Sequence, residues 1–363
     1  MRRREFNRNL IGLPLAAALP ALGLAAERPE PIELPPGGSI TDVPGLKVGH
    51  FTRTERPTGC TVMLCEQGAT AGVDVRGSAP GTRETDLLNP INHVQQVNAI
   101  VLSGGSAYGL DVATGVMRYL EEKNAGYRIG SLGVVPIVPA AILMDLGVGN
   151  FKIRPDAECG YKACQAASSD PVAEGCVGAG AGATIGKMFG GRYSMKSGLG
   201  TASVKIPNTD IVVGAIVAVN AVGDVVNPET GRIVAGARSE DGKGFRNSMA
   251  AMMSGYRVAL RPGANTTIGV VATNAKFTKT QMTKIAQMAH DGYARAICPV
   301  HTMGDGDTIF SMSTGTSETP ADLSAIGAIG AVVMARAIVR AAMQATSIPE
   351  LNLIAYRDYV GRA

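Results

Sequence analysis

The run Ile268-Gly269-Val270-Val271-Ala272 constrains the fold of this chain more than any other stretch. It is apolar at every position and lacks the alternation of a strand with one face in water, so it reads as a strand buried on both faces. Such a strand needs a layer above it and a layer below. The same unbroken apolarity marks Ala99-Ile100-Val101-Leu102 and the stretch from Val212 to Val219. Between these strands lie amphipathic patterns: Ala113, Val116, Met117 and Leu120 line one face of a helix, a second helix is expected over TKTQMTKIAQMAHDGYARAI, and an Ala-rich third from about Leu323 to Gln344. CTVMLCEQGATAGVDVRG predicts a hairpin, SVKIPNTDIVVGAIVAVN a strand pair and DTIFSMSTG a further strand. The order suggests layered α and β elements in one domain. With 46 glycines and no tryptophan, its core is built from Ala, Val, Ile, Leu and Met on closely approaching backbones.

Residues 1–26 read as a separate export segment. Arg2, Arg3, Arg4 and Arg8 precede an apolar stretch from Leu10 to Ala25 that ends in small residues, and Arg3-Arg4-Glu5-Phe6 looks like a twin-arginine motif. Cleavage is expected near Ala26, with a periplasmic or secreted product. Four arginines and one glutamate give this segment +3 of the formal +4, so the mature chain is near neutral and nothing calls for nucleic acid. Residues 27–45, rich in Pro and Gly, read as an extended arm, and 46–363 as the domain. The six cysteines form no C-x-x-C and the four histidines no H-E-x-x-H, so no metal or cofactor is expected. A protein exported already folded matures in a reducing cytosol, which favours free thiols.

Four motifs carry polar groups to the ends of buried strands. In VGAGAGATIGK, Ala181 stands where a phosphate-binding loop needs glycine and Met188 follows Lys187 in place of Ser or Thr, so that reading fails. A dinucleotide reading through Gly178, Gly180 and Ala183 lacks the acidic residue expected about 20 positions on. Taken alone, Lys187 is a solvated lysine at the end of a turn. In HTMGDGDTIF, Asp305 and Asp307 point the same way at period two, so they share a proton network or bind something, unless the segment is an exposed turn. Asn220 ends an apolar strand, where its amide is either satisfied structurally or a donor to a developing oxyanion. Thr266, behind Asn265 and the punctuating Pro262-Gly263, is either a nucleophile at a turn-to-strand junction or the ordinary start of a strand.

Seven segments in this order, RGSAPGTRETDLL, LSGGSAYGLD, VPAAILMDL, GLGTAS, AVNAVGDV, NTTIGVVATNA and HTMGDGDTIF, resemble one family. These are the self-processing peptidases that include L-aminopeptidase/D-amidase/esterases, β-peptidyl aminopeptidases and nylon-oligomer hydrolases. The resemblance implies a four-layer αββα sandwich like that of N-terminal nucleophile hydrolases, cut between Asn265 and Thr266 into 27–265 and 266–363. Once freed, the Thr266 amine, with a pKa of about 8, is a general base for its own hydroxyl. Thr267 would face the other way. Asn220 matches the family's oxyanion donor, Lys187 a lysine of the nylon-oligomer branch, and Asp305 with Asp307 that branch's acidic pair. The aminopeptidase branch has serine and glutamate there and usually a nucleophilic serine. Met144 stands where both branches commonly have tyrosine.

The function implied is an exported amide hydrolase without metal or cofactor, an aminopeptidase or amidase on short peptides, assembled as a homo-oligomer of processed heterodimers. Alternatives are an endo-hydrolase of 6-aminohexanoate oligomers, a non-processing periplasmic ligand-binding protein, and transfer of the acyl group to an amine.

Overall fold

A computed structural model of the chain describes residues 32–257 and 265–360. The export segment, the start of the arm and the Pro262-Gly263 turn lie outside the described residues. The expected two-sided strand is β8 in a nine-stranded sheet composed of β1 (Lys47–Thr52), β2 (Gly59–Val75), β3 (Thr82–Arg83), β4 (Gln96–Ser103), β5 (Ala140–Ile142), β6 (Leu199–Lys205), β7 (Val212–Asn220), β8 (Thr266–Thr273) and β9 (Thr308–Ser313). Its order is β6-β7-β8-β9-β2-β4-β5-β3, with β1 paired to β2. Strand β8 lies antiparallel to β7 and parallel to β9.

Side-chain alternation shows how one sheet makes two layers. On β7, Val213, Ala215, Val217 and Val219 enter a core with the helices α3 (Lys279–Ala296) and α4 (Leu323–Met343). Ile216 and Ala218 enter a second core, together with Ile268, Val270 and Phe310 and also Ile100 and Leu102 of β4. Strand β4 is two strands away from β9, so the sheet folds over and meets itself across this middle core. Ala99 and Val101, the alternate residues of β4, face a third core under α1 (Val112–Glu122) and α2 (Ala157–Gln165). The layers run α, β, β, α. Helices lie directly on strands because glycine lets them: a Cβ on Gly200 of β6 would collide with the carbonyl of Ala337, and one on Gly72 of β2 with the backbone of α3.

Strand β2 corrects one expectation. The predicted hairpin is a single 17-residue strand. Its first part pairs with β4 and its last part with β9, and the register shifts between Leu64 and Ala69, where Gly68 takes a left-handed φ of +89°. A bulge at a glycine re-aims a strand without reversing it, so β2 belongs to both layers. Part of the arm packs against the domain. Ile40 and Val43 are fully buried in the middle core, so the packed body begins before residue 46. All six cysteines are free thiols, four of them buried.

Candidate active site

The polar ends of the buried strands converge at the entrance of β8. Thr266 opens that strand and faces Asn220, the last residue of β7. Asn265, just outside, forms a parallel bridge with Asp305. The hydroxyl of Thr266 donates a short hydrogen bond to the carbonyl oxygen of Asn265, and the N–H of Gly306 donates to the same oxygen at 3.0 Å. The carbonyl that precedes the threonine is therefore polarised by two donors, one of them the hydroxyl of the next residue.

Lys187 is not the solvated lysine that its local sequence suggests. Gly186, left-handed at φ +69°, turns the chain so that the Lys187 ammonium donates to Asn220 Oδ1 at 2.8 Å and to the Asn220 carbonyl at 3.0 Å. The N–H of Thr184 also meets Oδ1 at 3.0 Å, while Asn220 Nδ2 donates to the Met144 carbonyl at 3.0 Å. These partners fix which way the amide points, and they leave its NH2 a second donor hydrogen. Burial lowers the Lys187 pKa to about 7, against the attraction of Asp305 and Asp145.

Asp305 and Asp307 are both about 99% buried. Asp305 Oδ2 accepts from the Thr302 N–H at 2.8 Å and the Thr302 hydroxyl at 2.6 Å, whereas its Oδ1 has no partner. Asp307 Oδ1 accepts from the Thr267 N–H at 2.7 Å, and Oδ2 from His301 Nδ1 at 2.8 Å and the His301 N–H at 3.1 Å. Burial, then the neighbouring charge of Asp307, pushes the Asp305 pKa up to about 6. Gly306 between them is required by space, since a Cβ there would lie 2.6 Å from the Ala79 carbonyl and 2.9 Å from the Thr266 hydroxyl. The Ala79 N–H in turn donates to the Asp305 carbonyl, tying the RGSAPG segment to the acidic pair.

A cleft of about 730 Å³ opens beside Asn265, lined by Met144, Lys187, Phe189, Tyr256 and Leu353 among others. Its wall at Asp145 is braced from behind. Arg56 pairs with Asp145 Oδ1 at 2.8 Å with both side chains fully buried, the Thr58 hydroxyl donates to Oδ2 at 2.6 Å, and the Gly105 N–H to Oδ1 at 2.8 Å. Sequence reasoning missed this pair, His301 and Thr302, and the donor role of Gly306. Gly306 alone left a signal, as the glycine of the Asp-Gly-Asp segment.

The layers define a class, the Ntn hydrolase fold. A solved L-aminopeptidase D-Ala-esterase/amidase from Ochrobactrum anthropi, described as a variant of that fold, matches with a TM-score of 0.65 over 92% of this chain and 94% of its own, at 19% identity. The profile of peptidase family S58 matches residues 38–353, and the chain belongs to that family, a hydrolase acting on amide bonds. An uncharacterised aminopeptidase of Mycobacterium tuberculosis (strain H37Rv) is 42% identical over 346 residues, covering 88% of this chain and 97% of its own. A 6-aminohexanoate-oligomer endohydrolase of Kocuria sp. (strain KY2) is 31% identical, covering 83% of this chain and 85% of its own.

Proposed function

We propose that the chain cuts itself between Asn265 and Thr266, and that the matured protein is an aminopeptidase or amidase acting on short peptides and related amides through an acyl-Thr266 intermediate. The observation that carries this reading is the contact of the Thr266 hydroxyl with the Asn265 carbonyl, whose oxygen Gly306 already polarises. In the cut, Oγ1 attacks the Asn265 carbonyl carbon and negative charge grows on the oxygen that the Gly306 N–H holds. The C–N bond breaks, the hydroxyl proton ends on the departing Thr266 nitrogen, and an ester joins Asn265 to Oγ1. Water hydrolyses that ester, which leaves a carboxylate on Asn265 and restores the hydroxyl beside a free amine.

The same atoms then turn over substrate. The Thr266 amine takes the hydroxyl proton as Oγ1 attacks the substrate carbonyl, the leaving amine carries the proton away, and water releases the acyl group. Asn220 offers its second N–H to the oxyanion. Lys187, poised near neutrality, supports the developing charge and lowers the basicity of the amine beside it. Asp305 and Asp307 position the nucleophile.

A second reading, endo-hydrolysis of 6-aminohexanoate oligomers, is favoured by the charge of the cleft. Among its described lining residues the charged ones are Lys187 and Asp145, and Asp145 is already paired with Arg56. Among the described lining residues no unpaired side-chain carboxylate awaits a substrate ammonium, which suits an amide in the interior of an oligomer. The Thr266, Lys187, Asp305 and Asp307 set, which matches the nylon-oligomer branch, favours this reading too, although these residues govern chemistry rather than pocket shape. Export by the twin-arginine route into the periplasm, and assembly of processed heterodimers into a homo-oligomer, belong to the proposal as well. The arginine-rich leader supports the first, and exposed Leu132 and Ile91 offer apolar surface for the second.

N-terminal sequencing of the smaller polypeptide from active protein tests the reading. It is expected to begin at Thr266, and any other start overturns the mechanism. An intact chain inert toward amides would make the protein a ligand-binding one. Hydrolysis rates on α-, β- and 6-amino acid amides, each with a free and an acylated amine, separate the two substrate readings. An added amine acceptor would reveal acyl transfer.

A further inference from the structure

The two buried carboxylates differ in their donors. Asp307 receives three, on both oxygens, and two of them come from His301. Asp305 receives two, both on Oδ2, and its Oδ1 is bare. Negative charge is most stable where donors are most numerous, and a proton fits best on an oxygen that no donor already faces. We propose that His301 is the positioning residue that divides the charge of this pair, holding Asp307 as the carboxylate and leaving the shared proton on Asp305 Oδ1. The proposal rests on reading Asp305 and Asp307 as partners of Thr266.

Three features make His301 suited to the task. Its backbone is left-handed, with φ +56°, and that turn brings its own N–H and its Nδ1 onto the same oxygen of Asp307. Its ring is clamped from α3, where His290 packs edge-on with centroids 4.8 Å apart and Tyr293 stacks at 6.0 Å. That clamp adds no charge. His290 Nε2 donates to the Asp74 carbonyl at 3.0 Å, and burial lowers the His290 pKa to about 4, which keeps it neutral. The Asp74 carboxylate, 3.6 Å from His290, is paired with Arg76 at 2.7 Å. Lys187 attracts Asp305 in turn.

The test uses Asn and Gly at position 301, because both tolerate the left-handed backbone. His301→Asn places an amide N–H where Nδ1 stood, and His301→Gly keeps only the main-chain donor. With the matured enzyme, His301→Asn is expected to keep the wild-type pH profile. His301→Gly is expected to lose about tenfold or more in kcat with little change in KM, and its acidic limb should move to higher pH because Asp307 is then easier to protonate. A shared loss in both variants, or an unmoved acidic limb in His301→Gly, overturns the proposal.

A readout free of activity separates this from the mechanism as a whole. In unprocessed Thr266→Ala protein held below the Asp305 pKa of about 6, infrared spectroscopy should show a protonated carboxyl band that Asp305→Asn removes and whose titration Asp307→Asn moves to lower pH. Nitrogen-15 NMR should show hydrogen on His301 Nδ1. A band that survives Asp305→Asn overturns the charge division even if the enzyme cleaves amides. The expected spectra, together with a wild-type chain that never cleaves, would sink the proposed function and leave the division standing.

Discussion

Two buried carboxylate centres flank the cleft, and they are built to opposite ends. At Asp145 both oxygens are filled by Arg56, Thr58 and Gly105, and the opposite charges cancel inside the protein. At the entrance of β8, Asp305 Oδ1 and Asn265 Oδ1 are buried without partners, two acids share one turn, and Asp305 and Lys187 are both displaced toward neutrality. The first centre is finished. The second holds capacity in reserve, and unsatisfied buried groups are tolerated where a reaction uses them.

The largest effect expected from breaking this contrast is at Thr266. Thr266→Ala should abolish both self-cleavage and amide hydrolysis, read by gel and by product release, while the protein remains folded; a split at the same bond would show that another group attacks. Gly306→Ala should come next. Its Cβ would press on the Thr266 hydroxyl and the Ala79 carbonyl, so the 266–363 fragment should appear much more slowly or not at all. Normal processing would remove the Gly306 N–H from the mechanism.

A paired experiment sharpens the comparison. Arg56→Ala strands a buried charge and should cost about 3–5 kcal/mol of stability, the usual loss when one partner of a buried pair is removed. Asp307→Ala should instead slow turnover by about 10²- to 10⁴-fold, the range of a misplaced acid–base group, with a smaller loss in melting temperature. The opposite pattern would exchange their roles.

The smallest effect is in pH dependence. Lys187 has its folded pKa lowered to about 7, so between that value and the unfolded pKa of about 10.4 the unfolded chain binds more protons. Denaturation of the Thr266→Ala protein should therefore show stability rising with pH across that window, and Lys187→Met should flatten the rise. Asp305, raised to about 6, acts below that range. Its neutral form suits the fold, so its contribution is lost as pH climbs from about 4 to 6.

Much of the architecture is legible in the residues. Two-sided strands can be recognised because apolarity without alternation at residues 268–272 has few other uses, and the Asp-Gly-Asp spacing puts two acids side by side. What escapes is set by partners distant in sequence. Lys187 reaches Asn220 across 33 residues and Arg56 reaches Asp145 across 89, and no local pattern announces either. The 60–77 segment reads as a hairpin because a glycine can mark a reversal or a bulge, and only the strands waiting on each side decide which.

The strand order also governs the fate of a chain severed at residue 265. The piece from 266 onward supplies β8 and β9, and these sit side by side between β7 and β2 of the other piece. Two polypeptides would remain, interlaced like the fingers of clasped hands. Neither could be pulled free without tearing open a hydrogen-bonded seam on each flank, so the nick would create a new amine and a new carboxylate without parting the pieces.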